Sequence, residues 1–255
     1  MLPNDSFCYR FVTFTVLPTM AQILTLELEA KAAQVREALS AAVRQYGRVV
    51  YANSLGPESM VLTDLICASA PEIDIVTIDT GRLHEETYEL LGKLQARYPG
   101  RIRVIYPEGQ QVSELISRQG INGFFDSVEA RRACCNVRKI VPFQNIVAGY
   151  QAWVTGVRRE QSAARAQGAA VEWDEKHGLH KVSPLLDWSE EQIWAYIRAR
   201  HLPYNSLHDK GYPSIGCAPC TRAIMPGEDQ RAGRWWWESP ENRECGLHPR
   251  VRSKA

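Results

Sequence analysis

The sequence predicts an α/β fold, a doubly wound and mostly parallel sheet, followed by an irregular C-terminal region. Three observations predict it. Short apolar runs of strand length are each followed by a helical pattern, three times in succession between Val49 and Gln119. The runs are apolar without strict alternation, as expected of strands covered on both faces, and such strands belong to parallel sheets. Past His201 the periodicity gives way to Pro, Gly, Cys and three consecutive tryptophans, Trp235 to Trp237.

In chain order, Val35, Leu39, Val43 and Tyr46 mark an amphipathic helix within residues 26–46, and Gly47 stands where it should stop. Val49 to Ala52 is the first strand. The turn-rich Asn53-Ser54-Leu55-Gly56-Pro57 follows, then a helix from Glu58 to Ala68. The unit recurs as Ile73 to Thr80 with Glu85 to Tyr98, and as Arg101 to Tyr106 with Val112 to Gln119. A fourth strand is expected at Trp153 to Val157, and Ser189 with Gln192 forms a capping box for a helix to about Arg200. No repeat beyond this βα unit is present. The chain divides into an N-terminal extension (1–19), an α/β domain (20–230) and a mobile C-terminal segment (231–255).

At 255 residues, 45% hydrophobic and 23% charged, the composition fits a globular chain and excludes a disordered or collagen-like one. No apolar run approaches the ~20 residues of a membrane helix. The stretch Phe7 to Val16 is broken by Thr13 and Thr15 and makes a poor secretory signal, and Met20 is a candidate start. Thirty basic against 29 acidic residues give a net charge of +1, which provides no chain-wide field for nucleic acid. Anion recognition must therefore be local, and the expected partner is small. Seven cysteines, an odd number without an export signal, point to free thiols in a reducing, cytoplasmic setting.

The loop Ser54-Leu55-Gly56-Pro57-Glu58-Ser59 joins a strand to a helix N-terminus, where N–H groups and the helix dipole favour an anion. It carries neither a Walker ending nor a Gly-x-Gly-x-x-Gly, and an ordinary turn with Pro57 at N1 and a serine cap is the competing reading. Asp79-Thr80-Gly81 ends the second strand on the carboxyl edge, where ligands of open α/β sheets bind. The fourth strand leads into Arg158 and Arg159, two guanidiniums suited to phosphate or sulfate oxygens, or simply a solvated charged loop.

Cys134 and Cys135 are adjacent, and Cys217-Ala218-Pro219-Cys220 is a C-x-x-C. Four thiolates fit tetrahedral zinc or an iron–sulfur cluster, with buried structural thiols or a redox dithiol as alternatives. The missing spacer between Cys134 and Cys135 favours a cluster over a zinc finger. Arg138 and Lys139 follow closely and would offset negative charge. Cys8 and Cys67 have no partner motif, and Cys67 lies on an apolar helix face. Cys245 sits near the C-terminus with Arg243, His248 and Arg250, cationic neighbours that lower a thiol pKa.

With these residues the chain resembles assimilatory adenylylsulfate (APS) reductases, of the family shared with 3'-phosphoadenylylsulfate (PAPS) reductases. The resemblance runs from about Val49 to His248. It is carried by Cys134-Cys135 with Arg138-Lys139, by YPSIGCAPCT from Tyr212 to Thr221, by RAGRWWWE from Arg231 to Glu238, and by Glu244 to His248. It implies an adenine nucleotide alpha hydrolase-like fold and one 4Fe-4S cluster on Cys134, Cys135, Cys217 and Cys220. It also implies a nucleophilic Cys245 that takes sulfite from APS as S-sulfocysteine and releases AMP, with thioredoxin as the resolving dithiol partner. Ser54, Gly56 and Ser59 would hold the adenylate. Lys139, Arg159, Arg165, Arg231, Arg234 and His248 would share the phosphate and sulfate oxygens. A homo-oligomer is compatible with the sequence, which sets no subunit number.

The related ATP pyrophosphatases carry a Ser-Gly-Gly-x-Asp-Ser loop, whereas Leu55 replaces the middle glycine here and Glu58 stands for the aspartate. The alternatives are a tRNA-thiolating ATP pyrophosphatase with a cluster, a zinc-stabilised binding module in which Cys245 is incidental, and a PAPS reductase, a branch that generally lacks the two cysteine pairs.

Overall fold

A computed structural model describes residues 20–161, 163–239 and 242. The expected extension 1–19, with Cys8, and the tail residues Cys245 and His248 lie outside the described residues. Helix α1 (Met20–Tyr46) precedes three βα units: β1 (Val49–Asn53) with α2 (Pro57–Ser69), β2 (Asp74–Ile78) with α3 (Glu85–Arg97), and β3 (Ile102–Ile105) with α4 (Gly109–Gln119). Helix α5 (Val128–Cys135) continues through a π turn (Asn136–Ile140) into α6 (Val141–Val147), which leads to β4 (Ala152–Val154). A short α7 (Ala163–Ala166), the hairpin β5 (Val171–Asp174) and β6 (Leu179–Val182), and α8 (Glu190–Ala199) complete the regular structure.

The sheet order is β3-β2-β1-β4-β6-β5. Every pairing is parallel except β5 with β6. The chain winds outward from β1 to β3 and returns to β4 on the other side of β1, so the topological switch point falls between β1 and β4. Loops leaving neighbouring strands in opposite directions open a crevice there.

The expected elements are present with shifted ends. Helix α1 buries Leu28, Ala32, Val35, Leu39 and Ala42 along one stripe and stops at Gly47, whose φ of 72° is costly for any residue with a Cβ. The Ser189 capping box forms as read, its side chain accepting from Gln192 N while the Gln192 side chain accepts from Ser189 N. The fourth strand is shorter than expected, and the β5–β6 hairpin was not foreseen, because its four-residue strands are half exposed and carry no apolar run. One face of the sheet packs Tyr51, Ile75 and Val154 against α1, α2 and α8, and the other packs Val50, Val76 and Trp153 against Phe143 of α6.

Residues 231–239, the start of the C-terminal segment, make contacts with the rest of the protein. Arg234 bridges to Thr221, Trp235 is buried, and Glu238 is paired inside the protein. Polar side chains hold this stretch, and a reading of apolar periodicity cannot see them.

Candidate active site

The carboxyl edge of the sheet faces a cavity of about 870 Å³. On one wall are the loops leaving β1, β2 and β4. On the other are the end of α5, the turn at 217–220 and the strap at 231–235. Nine cationic and three acidic residues line it, so the nearly neutral chain carries a positive field here and the anion preference is local.

The loop after β1 is shaped by its own hydrogen bonds. Asn53 Oδ1 accepts from Leu55 N at 2.8 Å and holds Leu55 at a φ of 60°, a left-handed conformation where the pyrophosphatase pattern has glycine. Gly56 is the N-cap of α2, with Pro57 in the first turn and no side chain capping the N-terminus. The expected serine cap is therefore absent, and Ser54 and Gly56 line the cavity. Ser59 is buried behind the loop, its Oγ accepting from Ser54 N at 3.1 Å and lying 2.9 Å from Ser54 Oγ. It shapes the loop from behind and does not line the cavity.

The cationic residues divide. Lys139, Arg165, Arg231 and Arg234 line the cavity. Arg159 does not: its Nε donates to Asp187 Oδ1 at 2.6 Å and its Nη1 to the carbonyls of Ala166 and Gly168. The buried Arg158 takes the place assigned to Arg159, donating from Nε to Glu58 at 2.8 Å and from Nη1 to Glu160 at 2.9 Å. Two adjacent arginines beyond a strand end point to different sides, and sequence alone did not say which faces inward. Gly156 permits the approach of this loop to α2, since an ideal Cβ there would stand 2.9 Å from Glu58 Cβ.

Sequence reasoning assigned no site role to Arg82, Arg131, His208 or Arg198, all of which line the cavity. The only signal for His208 is its place just ahead of the Tyr212 to Thr221 run. Burial holds its imidazole below the ordinary histidine range, which favours the neutral ring.

Cys134 and Cys135 end α5, and Cys217 and Cys220 bracket a single 3-10 turn, so two remote segments bring all four thiols to one wall. Phe124, Trp235 and Trp237 pack around them. Cys217 Sγ lies 3.2 Å from Thr80 Oγ1, Ala218 N donates to Arg82 O, and Arg138 Nη1 donates to Thr80 O at 2.7 Å, so the Asp79-Thr80-Gly81 turn joins both cysteine pairs to the sheet. Gly81, at a φ of 70°, leaves room for Arg138. Burial pushes the Cys220 thiol well up, and the neighbouring cysteines add to it; burial also raises Cys134, against the pull of Arg138. Among the described residues no group of three or more His, Cys, Asp or Glu side chains is arranged to hold a metal ion. Cys67 stands apart, packed against the main core.

A doubly wound sheet with a cationic crevice at its switch point defines the class: an α/β protein built to take a small anionic, nucleotide-like ligand. The model of the phosphoadenosine phosphosulfate reductase domain family matches residues 48–223, and the chain belongs to that family. Adenosine 5'-phosphosulfate reductase from Allochromatium vinosum is 53% identical over 88% of this chain and 87% of its own length. The protein of the same name from Burkholderia cepacia is 46% identical over 89% and 91%. Among solved structures, phosphoadenylyl-sulfate (PAPS) reductase from Candida auris in complex with phosphate superposes with a TM-score of 0.65 at 26% identity, covering 83% of this chain and 100% of that one. The protein is accordingly an oxidoreductase, on the adenine nucleotide alpha hydrolase-like fold that the sequence predicted. Among the described residues no helix is long and apolar enough to cross a membrane.

Proposed function

We propose that the protein reduces APS to sulfite and AMP through an S-sulfocysteine on Cys245, with a thioredoxin-type dithiol as reductant and in the reducing cytoplasm. The observation that supports this most is the meeting, in one cationic cavity, of the loop after β1 and all four thiols of the two cysteine pairs. The names of the relatives favour APS over PAPS as the substrate.

In this reading Ser54 and Gly56 hold the adenylate beside the N-terminus of α2, while Lys139, Arg165, Arg231 and Arg234 offset charge on the phosphosulfate. Arg158 supports the loop through Glu58. His248 is a further candidate from the tail. The Cys245 thiolate attacks the sulfur of the phosphosulfate, an S–S bond forms, and the S–O bond breaks with its electron pair leaving on the phosphate oxygen of AMP. A thiolate of the dithiol then attacks Cys245 Sγ and expels sulfite. Its second thiol resolves the mixed disulfide, so the dithiol supplies both electrons and ends as a disulfide.

The four thiols suit a 4Fe-4S cluster by the chemistry of the donor set: Cys134 and Cys220, whose thiols burial and neighbouring cysteines push up, would need a metal centre to lie there as thiolates. The lack of a convergent group of ligands bears on a single metal ion, and less on a polynuclear cluster whose thiolates stand further apart with four irons between them. Cys134, Cys135, Cys217 and Cys220 would hold such a cluster, whose net charge with four thiolates is negative and would be offset by Arg138 and Lys139 in the same cavity, while the reducing equivalents come from the dithiol.

The test is an anaerobic single turnover with APS and no reductant. One AMP and one sulfonate on the peptide carrying Cys245 are expected, and Cys245→Ser should form neither while still binding APS. An adduct on another cysteine, or sulfite release by that variant, would overturn the mechanism. Comparable turnover with PAPS would overturn the substrate.

A further inference from the structure

The segment beyond β4 sends Arg158, Gln161 and Arg165 to the cavity wall, and Gln161 stands between the two arginines. Its Oε1 accepts from Arg158 N at 3.1 Å and from Arg165 Nη1. Its Nε2 donates to Glu58 Oε1 at 3.0 Å, an oxygen that also accepts from Arg158 Nε at 2.8 Å. The amide has one workable orientation. Reversed, its NH2 would face two donors and its oxygen would face a carboxylate. Gln161 N donates to Arg158 O at 3.3 Å and closes the 3-10 turn Arg159–Gln161, so the backbone fixes the root of the side chain. Glu58 belongs to the first turn of α2. One amide thus joins the loop after β1 to a guanidinium of α7.

The two arginines are held in different ways. Arg158 lies between Glu58 and Glu160, at 2.8 and 2.9 Å, and both carboxylates offset its charge. At Gln161, Arg165 meets a neutral oxygen, which directs the guanidinium without placing a negative charge there. A carboxylate in this position would also hold Arg165, but it would compete with an anionic ligand for the same donors. We infer that Gln161 is a positioning residue for the reaction: its amide aims Arg165 at the phosphosulfate and ties that aim to the loop after β1. The inference rests on the proposed role of Arg165. A hydrogen bond to a charged group is worth roughly a tenfold change in an equilibrium, which sets the size of the effect.

The experiment uses the full chain under anaerobic conditions. The variants are Gln161→Leu, Gln161→Glu and Arg165→Ala, with each Gln161 change also combined with Arg165→Ala. Two quantities are read: the equilibrium affinity for AMP, an unreactive ligand that carries the phosphate, and kcat/KM for APS. Gln161→Leu should lower both about tenfold, and Gln161→Glu should lower them further, because the new carboxylate faces Glu58 and repels the ligand. With Arg165 already replaced, Gln161→Leu should cost less than about twofold, since no guanidinium is left to aim. A residue that only held the loop together would cost the same in both backgrounds, and that result would overturn the inference. So would a loss below about twofold for Gln161→Leu in the otherwise unchanged chain. Should Gln161→Leu fail to fold, Gln161→Glu carries the test, its loss shrinking at least about threefold once Arg165 is removed. Arg165→Ala that leaves both AMP affinity and kcat/KM unchanged would instead refute the role of Arg165 on which the inference rests.

Discussion

The sheet-side wall of the cavity is built from loops that leave β1, β2 and β4, each fixed at one end by a strand hydrogen-bonded on both sides. The opposite wall, made by α5, the turn at 217–220 and residues 231–239, contains one eight-residue helix, one 3-10 turn and one isolated bridge, Thr221 with Arg234. The first wall is positioned by backbone pairing and by apolar burial beneath it. The second is positioned by long polar side chains that reach across: Arg131 to Glu238, Arg138 to Thr80, and Arg234 to the Ile215 carbonyl. The contrast teaches where each wall is vulnerable. Single side-chain changes should be absorbed by the sheet side and should dismantle the thiol side.

The largest effect should come from Glu238→Ala, which leaves the buried guanidinium of Arg131 without its carboxylate. A loss of about 3–5 kcal/mol is expected on urea denaturation, because an unpaired buried charge has neither water nor a partner. A loss below about 1 kcal/mol would mean that this wall is not held by the pair. Gly216→Ala comes next. An ideal Cβ there would stand 2.3 Å from Arg234 Nη2, so the guanidinium must move away from the turn holding Cys217. A cost of about 1–3 kcal/mol is expected by the measure of an overpacked site, with weaker binding of sulfate as a competing anion; unchanged sulfate inhibition would remove Arg234 from the anion site. The smallest is Arg159→Ala on the sheet side. Its half-exposed pair with Asp187 should contribute less than about 1 kcal/mol, and turnover should stay within twofold. A large loss of turnover would restore Arg159 to the cavity and undo its replacement by Arg158.

Much of the first wall was legible in sequence. Val49 to Ala52 followed by Ser54-Leu55-Gly56-Pro57 reads as strand, anion-prone turn and helix, because apolar runs and Pro at a helix start are local signals. The four cysteines were legible as a set through their pairing pattern, and their partners were not. Arg131 and Glu238 lie 107 positions apart, and neither stands in a motif that names the other. The inward turn of Arg158 rather than Arg159 was equally invisible, since both carry the same charge one residue apart.

By itself the sequence determined the order of the βα units, the site of the anion-prone loop and the four thiols, because burial period, turn chemistry and cysteine spacing are properties of neighbouring residues. Only the tertiary structure decided which guanidiniums face the cavity, that Ser59 stands behind its loop, and that residues 231–239 are tied down. Those outcomes depend on which distant carboxylate or carbonyl lies within hydrogen-bond reach once water is excluded, and that distance exists only when the chain has closed on itself.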